Sequence, residues 1–228
     1  MTQRFFFFAY RTGRGVSAVV AITLISLMLA ACAPLGPRPS ATENIFVLNA
    51  LFRQEMAQAD GPEHNPGEDS RPTIMVTPPR AVPGFDTPRI AYMPRANELS
   101  YYANSRWADT PSRMIEPLLI RALEATGEFH AVVPLSSPVL GGLRLDTDIL
   151  RLQQEFLSRP SRLRLTLRAQ VFDLRQRSVL ATRTFEAEEE TPSDNAYGGA
   201  TAADRALEKV LREVAAFAAE QASAVGGK

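Results

Sequence analysis

Leu163, Leu165, Leu167, Ala169 and Val171 recur at every second position, and Arg162, Arg164, Arg168 and Gln170 fill the places between them. Only a strand turns such a run into one apolar and one charged face, because successive side chains point to opposite sides of a sheet. Two neighbouring segments read the same way. Leu143, Leu145 and Ile149 alternate with Arg144, Asp146 and Asp148; the phase then slips at Leu150 and continues through Leu152, which marks a β-bulge. Val179, Ala181 and Phe185 follow a turn at Arg175–Arg177. Three long strands joined by short turns make an antiparallel meander over residues 142–188. Asp146 and Asp148 are expected to lie opposite Arg168 and its neighbours on the open face, as cross-strand ion pairs.

A sheet with one apolar face needs a cover, and two helical segments supply it. Thr110-Pro111 reads as a helix start with a capping hydroxyl. Ile115, Leu118, Leu119, Ala122 and Leu123 follow at helical spacing, and Gly127 closes the segment. Pro117 is expected to kink this helix or to move its start to about Glu116. After an acidic stretch, Glu186–Asp194, taken as a loop, Ala203, Leu207, Val210, Leu211, Val214, Phe217 and Ala218 form the stripe of a long final helix. Shorter strands are expected at Asn44–Leu51, Thr73–Thr77, Arg89–Met93 and Phe129–Pro134, with an edge strand at Leu99–Tyr102. The fold expected is α+β: a mostly antiparallel sheet with two helices packed on one face.

The first 43 residues do not belong to that domain. Arg4, Arg11 and Arg14 precede an apolar run from Val16 to Ala31, which reads as a signal peptide over residues 1–31. The chain's single cysteine, Cys32, directly follows Leu29-Ala30-Ala31, which resembles the bacterial lipobox. That resemblance implies lipidation of Cys32, with the acylated residue as the new N-terminus. Three acyl chains would hold essentially permanently, since each buried CH₂ contributes about 0.8 kcal/mol. Ala33 after the cysteine fits sorting to the outer membrane. Residues 32–43, with three prolines, read as a lipidated tether, residues 44–225 as the folded domain, and the polar stretch 53–72 as a flexible insert within it.

Charge and motifs exclude several classes. The 25 basic and 25 acidic residues balance, so the chain lacks the basic surface of a nucleic-acid binder. His64 and His130 are the only histidines, and no metal-binding, phosphate-loop or nucleophile-elbow motif is present. Glu188, Glu189 and Glu190 read as a solvated charge run rather than catalytic carboxylates. No enzyme activity and no cofactor are expected, apart from the covalent lipid on Cys32.

One stretch has neither period: Tyr92–Pro111, with three of the chain's five tyrosines and its only tryptophan. Its YYANSRWADTP run, with Phe46, Leu48, Asp86–Tyr92, Leu99, Leu118, Leu123, Gly127 and Phe129, resembles the ABC-type transport auxiliary lipoprotein family, the PqiC-like proteins. Phe46 stands where a tyrosine is usual there. The resemblance implies an auxiliary, docking subunit of an ABC transport system for phospholipids or other hydrophobic molecules. An MCE-domain periplasmic protein and an ABC permease are its implied partners, the periplasmic face of the outer membrane its implied place, and a homo-oligomer is left open. A lipoprotein assembly factor or pilotin for an outer-membrane complex is the alternative. Tyr101, Tyr102, Arg106 and Trp107 are the candidate partner-binding residues; the same side chains suit packing of the sheet edge, with Asn97, Asn104 and Asp109 near enough in sequence to satisfy their polar atoms.

Overall fold

The computed structural model describes residues 42–50 and 71–226, all within one compact unit that begins at Thr42. The signal segment, Cys32, most of the tether and nearly all of the 53–72 insert lie outside the described residues. In chain order the elements are β1 (Asn44–Phe46), β2 (Thr73–Val76), β3 (Arg80–Ala81), β4 (Arg89–Arg95), β5 (Glu98–Trp107), α1 (Pro111–Glu124), β6 (Ala131–Pro134), β7 (Leu143–Glu155), β8 (Arg162–Asp173), β9 (Ser178–Glu190) and α2 (Ala196–Gly226). No helix of the described residues is long and apolar enough to cross a membrane.

All nine strands form one mixed, mostly antiparallel sheet, and β7 is its hub. One edge of β7 carries β8 along its whole length, and β9 follows, as the expected meander. The other edge carries three short parallel partners in succession: β2 against Leu143–Leu145, β3 against Asp148–Ile149 and β4 against Gln154–Glu155. Beyond β2 lies β6, and beyond β4 lie β5 and then β1. Pro78-Pro79 separate β2 from β3, as expected of residues that cannot serve a ladder. The register of β7 on β8 breaks between Ile149 and Arg151, so Leu150 is the bulged residue.

The apolar faces of β7 and β8 meet α2, which buries Leu207, Val210, Leu211, Val214, Phe217 and Ala218. Phe185 of β9 and Phe217 stack at 5.6 Å. α1 packs on α2 and buries Ile115, Leu118, Leu119, Ala122 and Leu123. This helix runs through Pro117 from Pro111, rather than starting at Glu116. Losing one internal hydrogen bond costs a few kcal/mol, and burying five apolar side chains at about 1.5–3 kcal/mol each outweighs it. Gly127, at φ +69°, closes the helix in the left-handed region that glycine enters without strain. The hydroxyl of Thr110 makes no capping bond; instead the Thr110 N–H donates to Asp109 Oδ1 at 2.7 Å.

Two further expectations need correcting. Glu186–Glu190 is not a loop but the end of β9. Its side chains on the open face meet the β8 arginines: Arg162–Glu188 at 2.9 Å and Arg164–Glu188 at 3.1 Å. Glu189 points the other way and pairs with Arg205 and Lys209 of α2. The stretch after Tyr92 is not an aperiodic connection either. It is a two-strand hairpin, β4–β5, closed by Asn97 at φ +64°.

Candidate functional site

β5 carries all four candidate docking residues, and its register explains why they show no period. Arg106 pairs with Arg89, yet Tyr101 pairs with Ala91. Four residues, Tyr102–Ser105, therefore oppose Ile90 alone. This wide bulge rotates the side chains out of simple alternation and lets each aromatic find its own partner.

Trp107 is 2% exposed and belongs to the core. Its backbone N–H donates to Pro88 O at 2.7 Å, and the backbone N–H of Ala108 donates to Phe46 O at 2.7 Å, which holds β1 alongside. Tyr101 donates to Gly84 O at 2.9 Å, and the guanidinium of Arg89 lies 4.1 Å above its ring. Tyr102 stacks on Tyr92 at 4.7 Å and donates to Gln154 Oε1 at 2.8 Å. Arg106 reaches back to Glu43 at 2.9 Å and to the Trp107 carbonyl. Among the described residues, none of these contacts uses Asn97, Asn104 or Asp109. The partners come from distant elements, which spacing along the chain does not reveal.

Tyr102 opens a buried polar chain that no sequence motif announces. Gln154 donates onward to Ser161 Oγ at 2.8 Å, and Ser161 Oγ shares a hydrogen with Thr191 Oγ1 at 2.6 Å. The Ser161 N–H donates to Asp194 Oδ1 at 2.9 Å. Burial pushes the Tyr102 phenol up to about 12, with Tyr92 and Asp194 adding to the rise. It therefore stays a neutral donor at physiological pH. Gly199 of α2 sits directly over this chain, and a Cβ there would come 2.5 Å from Gln154 Oε1. The Gly198-Gly199 pair thus serves close packing rather than phosphate binding.

Above this chain lies an open groove of about 590 Å³ between β1, β5 and the start of α2, bordered by Ile45, Tyr102, Ser105 and Tyr197. Tyr197 is 66% exposed, and Ile45 and Val47 are also exposed. β1 has β5 as its one neighbour among the described strands, so its outer edge carries no partner among the described residues. The segment after β1 is pinned from below: the Asn49 N–H donates to Asp204 Oδ1 at 2.8 Å, and Leu48 and Ala50 enter the core. Burial raises the Asp204 carboxyl above its ordinary range, with the Asn49 hydrogen bond opposing the rise. Of the four expected residues, Tyr102 lines this groove, Arg106 flanks it, Tyr101 faces Gly84, and Trp107 supports β5 from beneath.

The fold is shared with known structures. Protein XCC0632 from Xanthomonas campestris is 25% identical, with 72% of this chain and 94% of that one aligned at a TM-score of 0.64. An uncharacterized protein of 13% identity aligns over 78% of this chain and 98% of its own, at 0.57. No curated protein matches the chain. Residues 55–215 match the family described as the ABC-type transport auxiliary lipoprotein component. That span covers more than two thirds of the sequence, from the insert after β1 to the middle of α2, and the chain belongs to this family of auxiliary transport lipoproteins.

Proposed function

We propose that the protein is a lipid-anchored docking subunit on the periplasmic face of the outer membrane. It serves an ABC transport system that moves phospholipids or other hydrophobic molecules through an MCE-domain periplasmic protein. The family match over residues 55–215 carries this reading, and Leu29-Ala30-Ala31-Cys32 supplies the anchor. Cys32 takes the lipid, residues 33–43 give reach, and the α+β domain presents the docking surface. The β1 edge and the groove beside Tyr102, Arg106 and Tyr197 form that surface: it joins a strand edge that is unpaired among the described residues to exposed aromatic and aliphatic side chains. Trp107 acts from beneath, by holding β5 and β1 in place. The role is supportive rather than catalytic.

The test is mild crosslinking in intact cells, detergent extraction, affinity purification of the full chain and mass spectrometry of what accompanies it. Recovery of an MCE-domain protein with its permease is the expected result. A β-barrel or secretin without any MCE-domain protein would move the chain to the assembly-factor class.

A further inference from the structure

The connection between β6 and β7, residues 135–142, reads Leu-Ser-Ser-Pro-Val-Leu-Gly-Gly and carries no charge. It exposes Leu135 (46%), Val139 (49%) and Leu140 (88%), the last being the most exposed large apolar residue among those described. This exposure does not come from a slack chain. The Leu135 N–H donates to Val76 O, the Val139 N–H to Ser137 Oγ and the Gly142 N–H to Thr73 O. Gly141 lies so close to β2 that a Cβ would come 2.8 Å from Met75 Cγ. The loop is laid down on β2, and its apolar side chains face water.

The β8–β9 hairpin stands beside it. The Leu174 N–H donates to Gly142 O at 3.0 Å, and a Cβ on Gly142 would lie 3.6 Å from Arg175 Nε. The hairpin, Leu174-Arg175-Gln176-Arg177, exposes both arginines. Among the described residues neither has an ion-pair partner, whereas Arg80, Arg144, Arg162, Arg164 and Arg168 on the same sheet are all paired. The adjacent Asp173 is buried, and its Oδ1 is occupied by the N–H groups of Arg175 and Gln176. Val179, opposite Phe172, adds another exposed apolar side chain. One end of the sheet thus combines protruding apolar groups with two arginines that are unpaired among the described residues, in a chain whose charges balance overall.

A bilayer interface suits this combination. Apolar side chains enter the boundary between headgroups and acyl chains while cations meet anionic headgroups. A protein partner more often takes a large anchor in a pocket; here small aliphatic groups protrude from a loop flanked by cations. We infer that residues 135–142, with Arg175 and Arg177, form a contact site for an anionic phospholipid surface. The inference rests on the anchored reading only in that an anchor keeps a bilayer within reach.

The test uses the full acylated chain carrying Leu140→Cys, labelled with an environment-sensitive fluorophore. A blocked Cys32 leaves the new thiol as the single reactive one. Two labelled thiols would mean that Cys32 is unmodified and the anchored reading fails; the measurement is then made with Cys32→Ser added, since contact through the loop needs no anchor. Vesicles of phosphatidylcholine alone are compared with vesicles that also contain phosphatidylglycerol. The expected result is a blue shift and quenching by lipid-borne quenchers on the anionic vesicles only. The shifted fraction should fall roughly tenfold or more with Arg175→Gln plus Arg177→Gln. A probe at Leu157, beyond the other end of β7, should stay aqueous. An aqueous probe at position 140 on anionic vesicles, a shift indifferent to phosphatidylglycerol, or an equal shift at position 157 would each overturn the inference.

Discussion

The two wings of the sheet share β7 but are held by different means. On one side, β8 and β9 run its full length, with an unbroken apolar face under α2 and arginine–carboxylate pairs on the open face. On the other, β4, β5 and β1 touch β7 only at Gln154–Glu155, and specific pins hold them: Tyr101 on Gly84, Tyr102 on Gln154, Asn49 on Asp204. The first wing is redundant, since no single pair decides its register. The second depends on individual contacts, and among the described residues it leaves an unpaired edge and an open groove. Generic patterning builds the scaffold, while placed hydrogen bonds shape the groove beside Tyr102.

The largest expected effect is on the second wing. Trp107→Ala should cost about 3–5 kcal/mol in urea unfolding, because a buried indole leaves a cavity that the bulged strand cannot fill. A loss near zero would show that the wing is not built on this ring. Tyr102→Phe should cost about 1–3 kcal/mol, by leaving Gln154 Oε1 without its donor in the interior. It also has a pH signature. The folded phenol titrates near 12 against an ordinary 10, so the folded state holds its proton longer, and wild-type stability should fall as pH rises between these values. The Phe variant should lack that slope, and identical pH curves would break the pinned-wing account.

On the meander, Arg168→Gln removes a 2.7 Å pair with Asp148. The arginine's side chain is 43% exposed and Arg80 also serves Asp148, so about 0–1 kcal/mol is expected, shrinking with salt. A larger loss would mean that the open-face pairs, rather than the apolar face, carry that wing. The smallest effect is expected of Asp204→Asn, which keeps an acceptor for Asn49. The carboxyl's folded pKa is raised, so wild type carries a penalty that is absent below the unfolded value and grows as pH rises through the folded one. The variant should therefore melt slightly higher at pH 7 and lose that advantage in acid. A lower melting temperature at pH 7 would show that the charge itself holds the segment.

The same division governs what the sequence discloses. The alternation from Leu163 to Val171, the bulge at Leu150 and the stripe of α2 are legible because burial of one face imposes a period. β5 is not, because four residues opposite Ile90 erase its period. Glu186–Glu190 reads as solvated charge until the arginines of β8 are known to lie opposite. Tyr102, Arg106 and Trp107 can be singled out by residue type. Their partners, Gln154, Glu43 and Pro88, lie on distant elements, and no local spacing encodes these contacts.

The central claim is that the edge wing meets a transport partner. Site-specific photocrosslinking in intact cells tests it most directly, with the photoreactive residue placed at Tyr197 beside the groove or at Arg168 on the meander. The account predicts an adduct with an MCE-domain periplasmic protein from Tyr197 and none from Arg168. An adduct from Arg168 alone, or adducts from Tyr197 only with a β-barrel or secretin, would contradict it.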